Sequence, residues 1–498
     1  MPASITAIGA EFGFNLQDPT LFESRGLING EWIESPNGKT FPVYEPASGR
    51  VLNHCADFGK QDIRDAVDKA LDGFEKFFCS TTAKQRGQIL RTWGELIIKN
   101  KIDLATILSL ENGKTIPEAS GEIVYAASFV FWFAEEATRS YGDIIPSSAP
   151  NTTVMTVREP VGVCGIITPW NFPAAMITRK IAPAFAAGCS VVIKPPSETP
   201  FSALALAKLG LLAGIPKDCI HVLPTKNREA ASELAIYDKV AKISFTGSTR
   251  VGKILTNLAA GTMKKVSMEL GGNAPFIVWD DADLEIAADG AMACKFRCTG
   301  QTCVCANRFI VHRKVIDDFT DRLTARVKKL KLGFGLDESV SLGPLVNQAA
   351  VQKVSEHIQD ALNKGGRLVT GGQVPQNLPP GYFYEPTIIT NGSKDMLVAT
   401  DETFGPLAVI FSFETEEEAL SQANATEFGL AGYFFTKDNS RVHRVAQKLQ
   451  CGMVGVNTGI MSAAETPFGG LKESGYGREG SKYGLAEYQN MKAITIKY

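Results

Sequence analysis

The chain has 498 residues, of which 44% are hydrophobic and 21% charged, and its formal net charge is −2. This length exceeds what one hydrophobic core usually serves, so we expect two or three domains. The balanced charge excludes the strongly basic surface of a nucleic-acid binder or of a protein held on anionic membranes, so we expect small molecules or further copies of the chain as partners.

The N-terminal segment MPASITAIGAEFGFNLQDPTLF lacks the basic stretch and long apolar run of a secretory signal. No apolar run in the sequence approaches the roughly 20 residues of a membrane span. The ten cysteines are scattered along a long chain, unlike a secreted disulfide framework. We therefore expect a cytoplasmic location, with the mitochondrial matrix as the alternative.

Residues 60–140 have apolar side chains at three- and four-residue spacings, which predicts helices with one buried face. The segment NTTVMTVREP (151–160) alternates polar and apolar residues and predicts an exposed strand or hairpin. The chain ends in LAEYQNMKAITIKY (485–498), which predicts a helix and then a strand. Pairing with the 151–160 ribbon or with another subunit would satisfy the backbone of that strand.

Between residues 161 and 270, short apolar runs alternate with turns and helical stretches. This order predicts a parallel α/β sheet, and a second α/β series runs from about residue 274 to about 470. Nucleotides bind such sheets beyond the carboxyl ends of the strands, so the turns there are the first places to search for a site. The runs in the first series are VGVCGIITP, CSVVIKP, CIHVLP, VAKISFTG and KVSMEL.

The segment FRCTGQTCVCANR (296–308) places three of the ten cysteines within eight positions. Cys303 follows a glycine turn that lets backbone amides approach a reacting carbonyl, which makes this thiol a candidate nucleophile. The alternative is that these cysteines are small buried core residues.

Three further segments carry polar groups at strand ends. In TPWNFP (168–173), the Asn171 amide could donate to a developing oxyanion, or it could cap the following helix. In MELGGNAP (268–275), Glu269 ends an apolar strand, and because glutamate is almost never fully buried unless paired, a general base suits this position better than core filling. In FTGSTRVG (245–252), a glycine turn opens a helix, as pyrophosphate sites require, although the glycines are too few to specify a dinucleotide.

In this order the segments resemble the aldehyde dehydrogenase superfamily, in its succinate-semialdehyde dehydrogenase branch, over nearly the whole chain. The segments KPPSETP, DETFGPL and PFGGLKESGYGREG match the family as well, and Cys303 follows Glu269 at the family's separation between base and nucleophile. Cys298 departs from the pattern, because many members carry asparagine there.

The resemblance implies an α/β fold of the aldehyde dehydrogenase type. A Rossmann-type dinucleotide-binding domain would comprise residues 1–136 and 160–270, and an α/β catalytic domain residues 271–470. Residues 137–159 and 471–498 would form a small β oligomerisation arm, and the assembly would be a homotetramer or a homodimer.

The implied mechanism needs no metal. The Cys303 thiolate attacks the aldehyde, and the resulting thiohemiacetal oxyanion accepts from the Asn171 side chain and the Cys303 N–H. After hydride transfer, Glu269 removes a proton from the water that hydrolyses the thioester. A cysteine hydrolase is the rival class, but no histidine lies in a motif that matches Cys303.

The resemblance also implies a set of cofactor contacts. Ser197 stands where NAD-specific members often carry glutamate, so we expect NADP, with NAD as the alternative. Lys194 could instead be a solvated lysine at a strand end, and Glu402 a carboxylate at a helix start. The predicted cofactor residues are Thr168, Pro169, Trp170, Lys194, Ser197, Gly247, Ser248, Gly252, Glu402 and Phe404.

Arg179 and Arg297 bear on the substrate, because guanidinium groups match a distal carboxylate, and Ser462 matches a third substrate-holding position of the branch. The implied reaction oxidises succinate semialdehyde to succinate, as in GABA degradation. Glutarate-semialdehyde and CoA-acylating semialdehyde dehydrogenases are the alternatives, and both arginines could instead pair with structural carboxylates.

The C-x-C spacing of this branch suggests that Cys305 is a redox partner of Cys303. The closed ring would be small and strained, so the bond would form under oxidant and reopen with thiol. Cys305 could instead pack as a small apolar residue, and Cys298 is a competing partner.

Overall fold

The computed structural model describes residues 5–498. Residues 1–4, which open the predicted dinucleotide-binding domain, lie outside the described residues. In the first half of the chain the helices and strands are α1 Ile5–Phe12, β1 Gly26–Ile28, β2 Glu31–Ile33, β3 Thr40–Glu45, β4 Arg50–Ala56, α2 Lys60–Ser80, α3 Ala83–Lys99, α4 Lys101–Asn112, α5 Ile116–Glu136, β5 Ile144–Ile145, β6 Thr152–Pro160, β7 Val163–Ile167, α6 Ala175–Ala187, β8 Ser190–Lys194, α7 Phe201–Leu212, β9 Ile220–Val222, α8 Arg228–Ile236, β10 Lys242–Thr246, α9 Thr249–Ala259 and β11 Lys265–Glu269.

The second half continues the alternation of strands and helices and ends in a strand. Its elements are β12 Ala274–Val278, α10 Leu284–Ala291, β13 Ala306–His312, α11 Ile316–Val327, α12 Gln348–Asn363, β14 Arg367–Thr370, β15 Thr387–Thr390, α13 Leu397–Thr400, β16 Leu407–Phe413, α14 Glu416–Asn424, β17 Phe428–Gly429, β18 Ala431–Phe435, α15 Asn439–Lys448, β19 Met453–Val456, β20 Leu471–Lys472, β21 Gly475–Tyr476, α16 Ser481–Ala486 and β22 Gln489–Lys497.

The helices predicted before residue 140 are α2 to α5. In α2 the buried side chains of Ile63, Ala66, Val67 and Ala70 recur every three or four residues, so one face packs on the protein. The Thr82 hydroxyl accepts from the Gln85 N–H, and the Gln85 side chain accepts from the Thr82 N–H, which starts α3 with a capping box.

The first large sheet has the strand order β2-β1-β9-β8-β7-β10-β11-β21. Its five central strands are parallel, as the sequence predicts, and they follow the five predicted apolar runs. The edge strands β1, β2 and β21 are antiparallel additions that the sequence pattern did not reveal. Because Thr246 is in register with Glu269, and Ile167 with Lys194, the turns after these strands lie along one edge of the sheet.

The second large sheet has the order β14-β15-β16-β13-β12-β18-β19 and is parallel except for β14. The nucleophile loop, residues 297–305, leads directly into the central strand β13. Every residue of β13 is buried, so this strand anchors the loop in the interior of the sheet.

A third sheet consists of β22, β6 and β5. The register of β22 against β6 runs from Gln489 opposite Pro160 to Lys497 opposite Thr152, which confirms the predicted pairing of the tail with the ribbon. Strands β20 and β21 lie between this arm and the second large sheet in sequence, and they pair with β17 and β11. The domain boundaries given above stay a prediction. None of the helices described in residues 5–498 is both long and apolar enough to cross a bilayer.

Candidate active site

One cavity collects most of the predicted site residues. Its volume is about 540 Å³, and it lies beyond the carboxyl ends of β7, β10 and β11. A larger cavity of about 980 Å³ beside Phe12 and Phe334 contains none of the predicted residues, so we assign the chemistry to the smaller one. The predicted residues that line it are Pro169, Trp170, Asn171, Arg179, Gly247, Ser248, Arg297, Cys303, Glu402, Phe404 and Ser462.

Cys303 is half-buried at the end of an unusual loop. Cys298 and Thr299, both non-glycine residues, adopt left-handed backbone conformations with φ of 52° and 56°. Such conformations persist only where the surroundings hold them. Here the Cys298 N–H donates to Glu118 Oε1 at 2.7 Å, and the Thr299 hydroxyl donates to the Gly343 carbonyl at 2.9 Å. The loop therefore presents Cys303 in a fixed geometry.

The Asn171 side chain points at the nucleophile loop. Its Nδ2 donates to the carbonyl oxygen of Gln301 at 3.0 Å, two residues before Cys303. The alternative that Asn171 caps α6 is wrong, because the amides of Ala174 and Ala175 donate to Glu122 Oε1 instead. Only one N–H of this amide is used in that bond, so the other can donate in the cavity that Asn171 and Cys303 both line.

Glu269 lies at the end of β11 with only 1% of its surface exposed. Neither of its carboxylate oxygens has a hydrogen-bond partner among the residues that the structure describes. Burial raises its pKa well above the ordinary value, the nearby Glu479 raises it further, and the charges of Arg179 and Lys180 oppose both effects. Once ionised, this carboxylate is a strong base.

The loop after Glu269 touches the nucleophile loop. A Cβ at Gly272 would lie 2.2 Å from the carbonyl oxygen of Cys303, so only glycine fits there. Burial raises the pKa of the Cys303 thiol to about 12, although the Arg179 charge lowers it. The thiol is therefore mainly protonated at neutral pH, and it must lose its proton before it can act as a nucleophile.

Four polar side chains form the wall of the cavity that would face the substrate: Tyr125, Arg179, Arg297 and Ser462. Arg179 is buried and forms an ion pair with Glu479, which agrees with the alternative that this arginine pairs with a structural carboxylate. It also lines the cavity, however, so it can contact a substrate there. Arg297 is exposed to the cavity, and no carboxylate among the described residues influences its pKa strongly. In this wall the charge of Arg179 is therefore balanced by Glu479, whereas the charge of Arg297 is not balanced by a nearby carboxylate of the described residues.

The other end of the cavity has features that suit a nucleotide. Thr246 lines the cavity and Thr168 directly precedes the lining residue Pro169; the hydroxyl groups of both threonines are buried and have no hydrogen-bond partner within the described part of the chain. The side chain of Ser248 makes no capping bond to α9, which leaves the first amides of that helix for an anion. The rings of Trp170 and Phe404 meet edge to face at 5.5 Å. Orphaned hydroxyls, free helix amides and aromatic rings together fit a phosphorylated cofactor.

Glu402 Oε1 accepts from the Gly272 N–H at 3.0 Å, and burial raises the pKa of this carboxyl to about 7. Helix α13 ends at Thr400, so the alternative that Glu402 starts a helix is wrong. Lys194 is half-buried and burial lowers its pKa, so its ammonium group is not fully solvated.

Six predicted residues lie outside the lining of the cavity. Ser197 donates from its hydroxyl to Glu198 Oε2 at 3.1 Å. A Cβ at Gly252 would lie 2.4 Å from the Leu270 side chain, so this glycine lets α9 pack closely on the sheet. Cys305 is a buried free thiol whose Sγ lies 3.9 Å from the Lys295 carbonyl oxygen. The six residues are Thr168, Lys194, Ser197, Gly252, Glu269 and Cys305.

Several residues of the site were not found from the sequence. Tyr125 lies on the face of α5 that lines the cavity, and only the spacing of Glu118, Glu122 and Tyr125 along that helix could have indicated it. Glu479 pairs with both Arg179 and Lys180 across about 300 positions, a contact that no local pattern predicts. The other lining residues missed include the apolar Phe172, Met176, Leu270 and Phe468.

Comparison with known proteins places these features in a family context. A model described as the aldehyde dehydrogenase family matches residues 32–494. The chain is 52% identical over 488 residues to "Succinate-semialdehyde dehydrogenase [NADP(+)] 1" of Schizosaccharomyces pombe, covering 97% of this chain and 98% of that protein. It is 50% identical over 484 residues to a glutarate-semialdehyde dehydrogenase of Pseudomonas putida, covering 97% and 99%.

Solved structures agree with these relatives. The crystal structure of succinate-semialdehyde dehydrogenase from Burkholderia pseudomallei superposes with a TM-score of 0.96 at 50% identity, covering 97% of this chain and all of that one. A betaine aldehyde dehydrogenase from Staphylococcus aureus, solved in complex with NAD+, superposes with a TM-score of 0.93 at 36% identity, covering 96% and 95%.

Proposed function

This chain belongs to the aldehyde dehydrogenase family, and we propose that it oxidises succinate semialdehyde to succinate with NADP+, as a step in GABA degradation. The observation that carries the proposal is the single cavity in which the Cys303 thiol shares a wall with Arg179, Arg297 and Ser462. A distal carboxylate on the aldehyde would meet two guanidinium groups and a hydroxyl there.

The chemistry begins at Cys303. Its thiolate forms a carbon–sulfur bond to the aldehyde carbon, and the carbonyl oxygen takes the displaced electron pair. The Asn171 side chain and the Cys303 N–H donate to this oxyanion. A bound nicotinamide cofactor would supply the hydride acceptor, and loss of hydride from the thiohemiacetal carbon would leave a thioester on Cys303. Glu269 takes a proton from water, the hydroxide oxygen attacks the thioester, and the thiolate leaves as succinate forms.

We propose that ten residues hold the cofactor. The orphaned hydroxyl of Thr168 and the uncapped start of α9 support contacts to its polar groups. Ser197 carries no negative charge, which supports binding of the 2′-phosphate of NADP, while NAD remains the alternative cofactor. The ten are Thr168, Pro169, Trp170, Lys194, Ser197, Gly247, Ser248, Gly252, Glu402 and Phe404.

Two alternative reactions lie within the same family. Glutarate semialdehyde is one methylene longer than succinate semialdehyde, and the Pseudomonas putida relative is named for it. A CoA-acylating dehydrogenase would transfer the acyl group to a thiol and would not need a base for water. Glu269 is buried and has no hydrogen-bond partner in the part of the chain that the structure describes, which supports hydrolysis over that reaction.

The test is a steady-state assay that follows formation of the reduced cofactor. The substrates are succinate semialdehyde, glutarate semialdehyde and butanal, each with NADP+ or NAD+ and with or without CoA. We expect the highest kcat/KM with succinate semialdehyde and NADP+, without a requirement for CoA. A higher kcat/KM for butanal would contradict the assigned carboxylate pocket, and dependence on CoA would contradict hydrolysis.

We also propose that the chain forms a homotetramer or homodimer in the cytoplasm, with the domain division given under Sequence analysis. The arm supports assembly because Ile144 in β5 and Tyr498, directly after β22, are 80% and 76% exposed.

Cys305 is proposed as a redox partner of Cys303. A peroxide would oxidise the Cys303 thiolate to a sulfenic acid, and condensation with the Cys305 thiol would form the disulfide and release water. Because Cys305 is buried, the loop must move for this bond to form. Cys298, which lines the cavity with Cys303, is the competing partner.

A further inference from the structure

A buried ion pair contacts the segment that carries Asn171, and one of its two members, Glu122, also lines the cavity. Lys114 is in the turn between α4 and α5, Glu122 is on α5, and the two side chains are only 2% and 1% exposed. We call these two residues the clamp pair. Burial of two charges is costly unless further polar contacts satisfy them, so the contacts of the clamp pair indicate what it holds.

The clamp pair forms hydrogen bonds to the backbone at both ends of one short segment, residues 171–175. Lys114 Nζ donates to the carbonyl oxygen of Asn171 at 2.5 Å. Glu122 Oε1 accepts from the N–H groups of Ala174 and Ala175 at 2.9 Å and 3.3 Å. Between these ends, Lys114 Nζ lies 3.7 Å from the centroid of the Phe172 ring. A single ion pair therefore fixes residues 171–175.

The orientation of the Asn171 side chain depends on this backbone. Its Nδ2 donates to the Gln301 carbonyl at 3.0 Å, so the fixed segment also sets the distance between Asn171 and the nucleophile loop. An oxyanion donor works only within about 0.5 Å of its productive position. We propose that Lys114 and Glu122 are positioning residues that hold the Asn171 side-chain amide within hydrogen-bond distance of the oxyanion formed at Cys303. The inference rests on the proposed function, in which Asn171 donates to that oxyanion.

The alternative is that Glu122 merely caps α6. A double-mutant cycle between Glu122→Gln and Asn171→Ala separates the two roles. Loss of one oxyanion donor lowers turnover by about 10²–10³-fold. We expect Glu122→Gln to lower kcat by about 10–100-fold with KM within about 3-fold, because a displaced donor keeps part of its effect. In the Asn171→Ala background, the same substitution should cost less than about 3-fold.

Glu111→Gln is the matched control. Glu111 is also a buried carboxylate that accepts from two amides at a helix start, those of Phe201 and Ser202 on α7, at 2.7 Å and 2.8 Å. In the described part of the chain no hydrogen bond joins its side chain to residues 171–175, so we expect kcat of this variant to stay within about 3-fold of the wild type. The double variant Lys114→Met/Glu122→Gln, which leaves no unpaired buried charge, should reproduce the loss of kcat if Glu122→Gln folds poorly.

Alkylation of Cys303 by iodoacetamide provides the second readout, because this displacement forms no oxyanion. The alkylation rate of the clamp-pair variants should remain within about 2-fold of the wild type. Equal losses of kcat with and without Asn171, or a fall in alkylation that matches the fall in kcat, would overturn the positioning role. A wild-type protein that oxidises no aldehyde would instead overturn the proposed function, before any variant is compared.

Discussion

Replacing Arg297 by methionine tests which guanidinium group recognises the substrate carboxylate. The side chain is exposed to the cavity, and no carboxylate within residues 5–498 strongly influences its pKa, so its charge is available to the substrate. Arg179, by contrast, is 1% exposed and paired with Glu479. Arg297→Met should therefore change substrate selection, whereas Arg179→Met should change substrate selection and stability together.

A hydrogen bond to a charged group contributes about 1.5–3 kcal/mol, and about 1.4 kcal/mol corresponds to a tenfold change in an equilibrium constant. Arg297→Met should therefore lower kcat/KM for succinate semialdehyde by about 10–100-fold and leave kcat/KM for butanal within about 3-fold. Its free energy of unfolding should change by less than about 0.5 kcal/mol. The free energy of unfolding of Arg179→Met should fall by about 3–5 kcal/mol, because the substitution leaves the buried Glu479 without this ion-pair partner.

The assay compares kcat/KM for the two aldehydes in the wild type and both variants, alongside urea denaturation of each protein. If Arg297→Met lowers kcat/KM for succinate semialdehyde and for butanal by the same factor, Arg297 has a structural role and our assignment of the carboxylate end of the cavity is wrong.

Further predictions concern catalysis, pH, cofactor choice and oxidation. Cys303→Ala should abolish oxidation, whereas Glu269→Gln should give one burst of reduced cofactor in a stopped-flow experiment; steady turnover by Cys303→Ala would remove the nucleophile assignment. Because burial raises the pKa of both Cys303 and Glu269, ionisation of each increases as pH rises, so kcat/KM should still be rising at pH values well above 4.5, the ordinary pKa of a glutamate carboxyl; a flat pH profile would contradict this. Ser197→Glu should shift preference from NADP+ towards NAD+ by charge repulsion, and an unchanged ratio of the two kcat/KM values would place the 2′-phosphate elsewhere. After mild peroxide and then dithiothreitol, wild type and Cys298→Ala should lose and regain activity, while Cys305→Ala should not regain it in the same way; identical behaviour of Cys305→Ala and wild type would exclude Cys305 as the partner.

The sequence predicted what local patterns control. Apolar runs bounded by turns located the five parallel strands of the first sheet, and the polar residues at their ends, such as Asn171 and Glu269, lie where strand ends meet. Contacts between distant segments had no such signal. The edge strand β21 and the pairing of Glu479 with Arg179 depend on the tertiary fold rather than on spacing.

The side chains of the site also divide into those that a local sequence motif reveals and those whose position depends on the tertiary fold. Cys303 and the glycines around it form a compact motif, and that motif was found. Tyr125 lies on a helix that the pattern described only as amphipathic, and its position in the cavity depends on how α5 packs against α6. Lys114 and Glu122 are ordinary surface residue types, so their burial could not be expected from composition.

The pairing of β22 with β6 also has a consequence for synthesis of the protein. Lys492 on β22 forms an ion pair with Glu159 on β6, although 333 positions separate them. At about 5–20 residues per second, a ribosome needs roughly 15–70 s to make the intervening chain. Throughout that interval the edge of β6 that faces away from β5 has no partner strand, and an unpaired strand edge exposes the nascent chain to chaperones and to aggregation. The pairing of β22 with β6 can therefore form only after the ribosome has made the chain through Lys497.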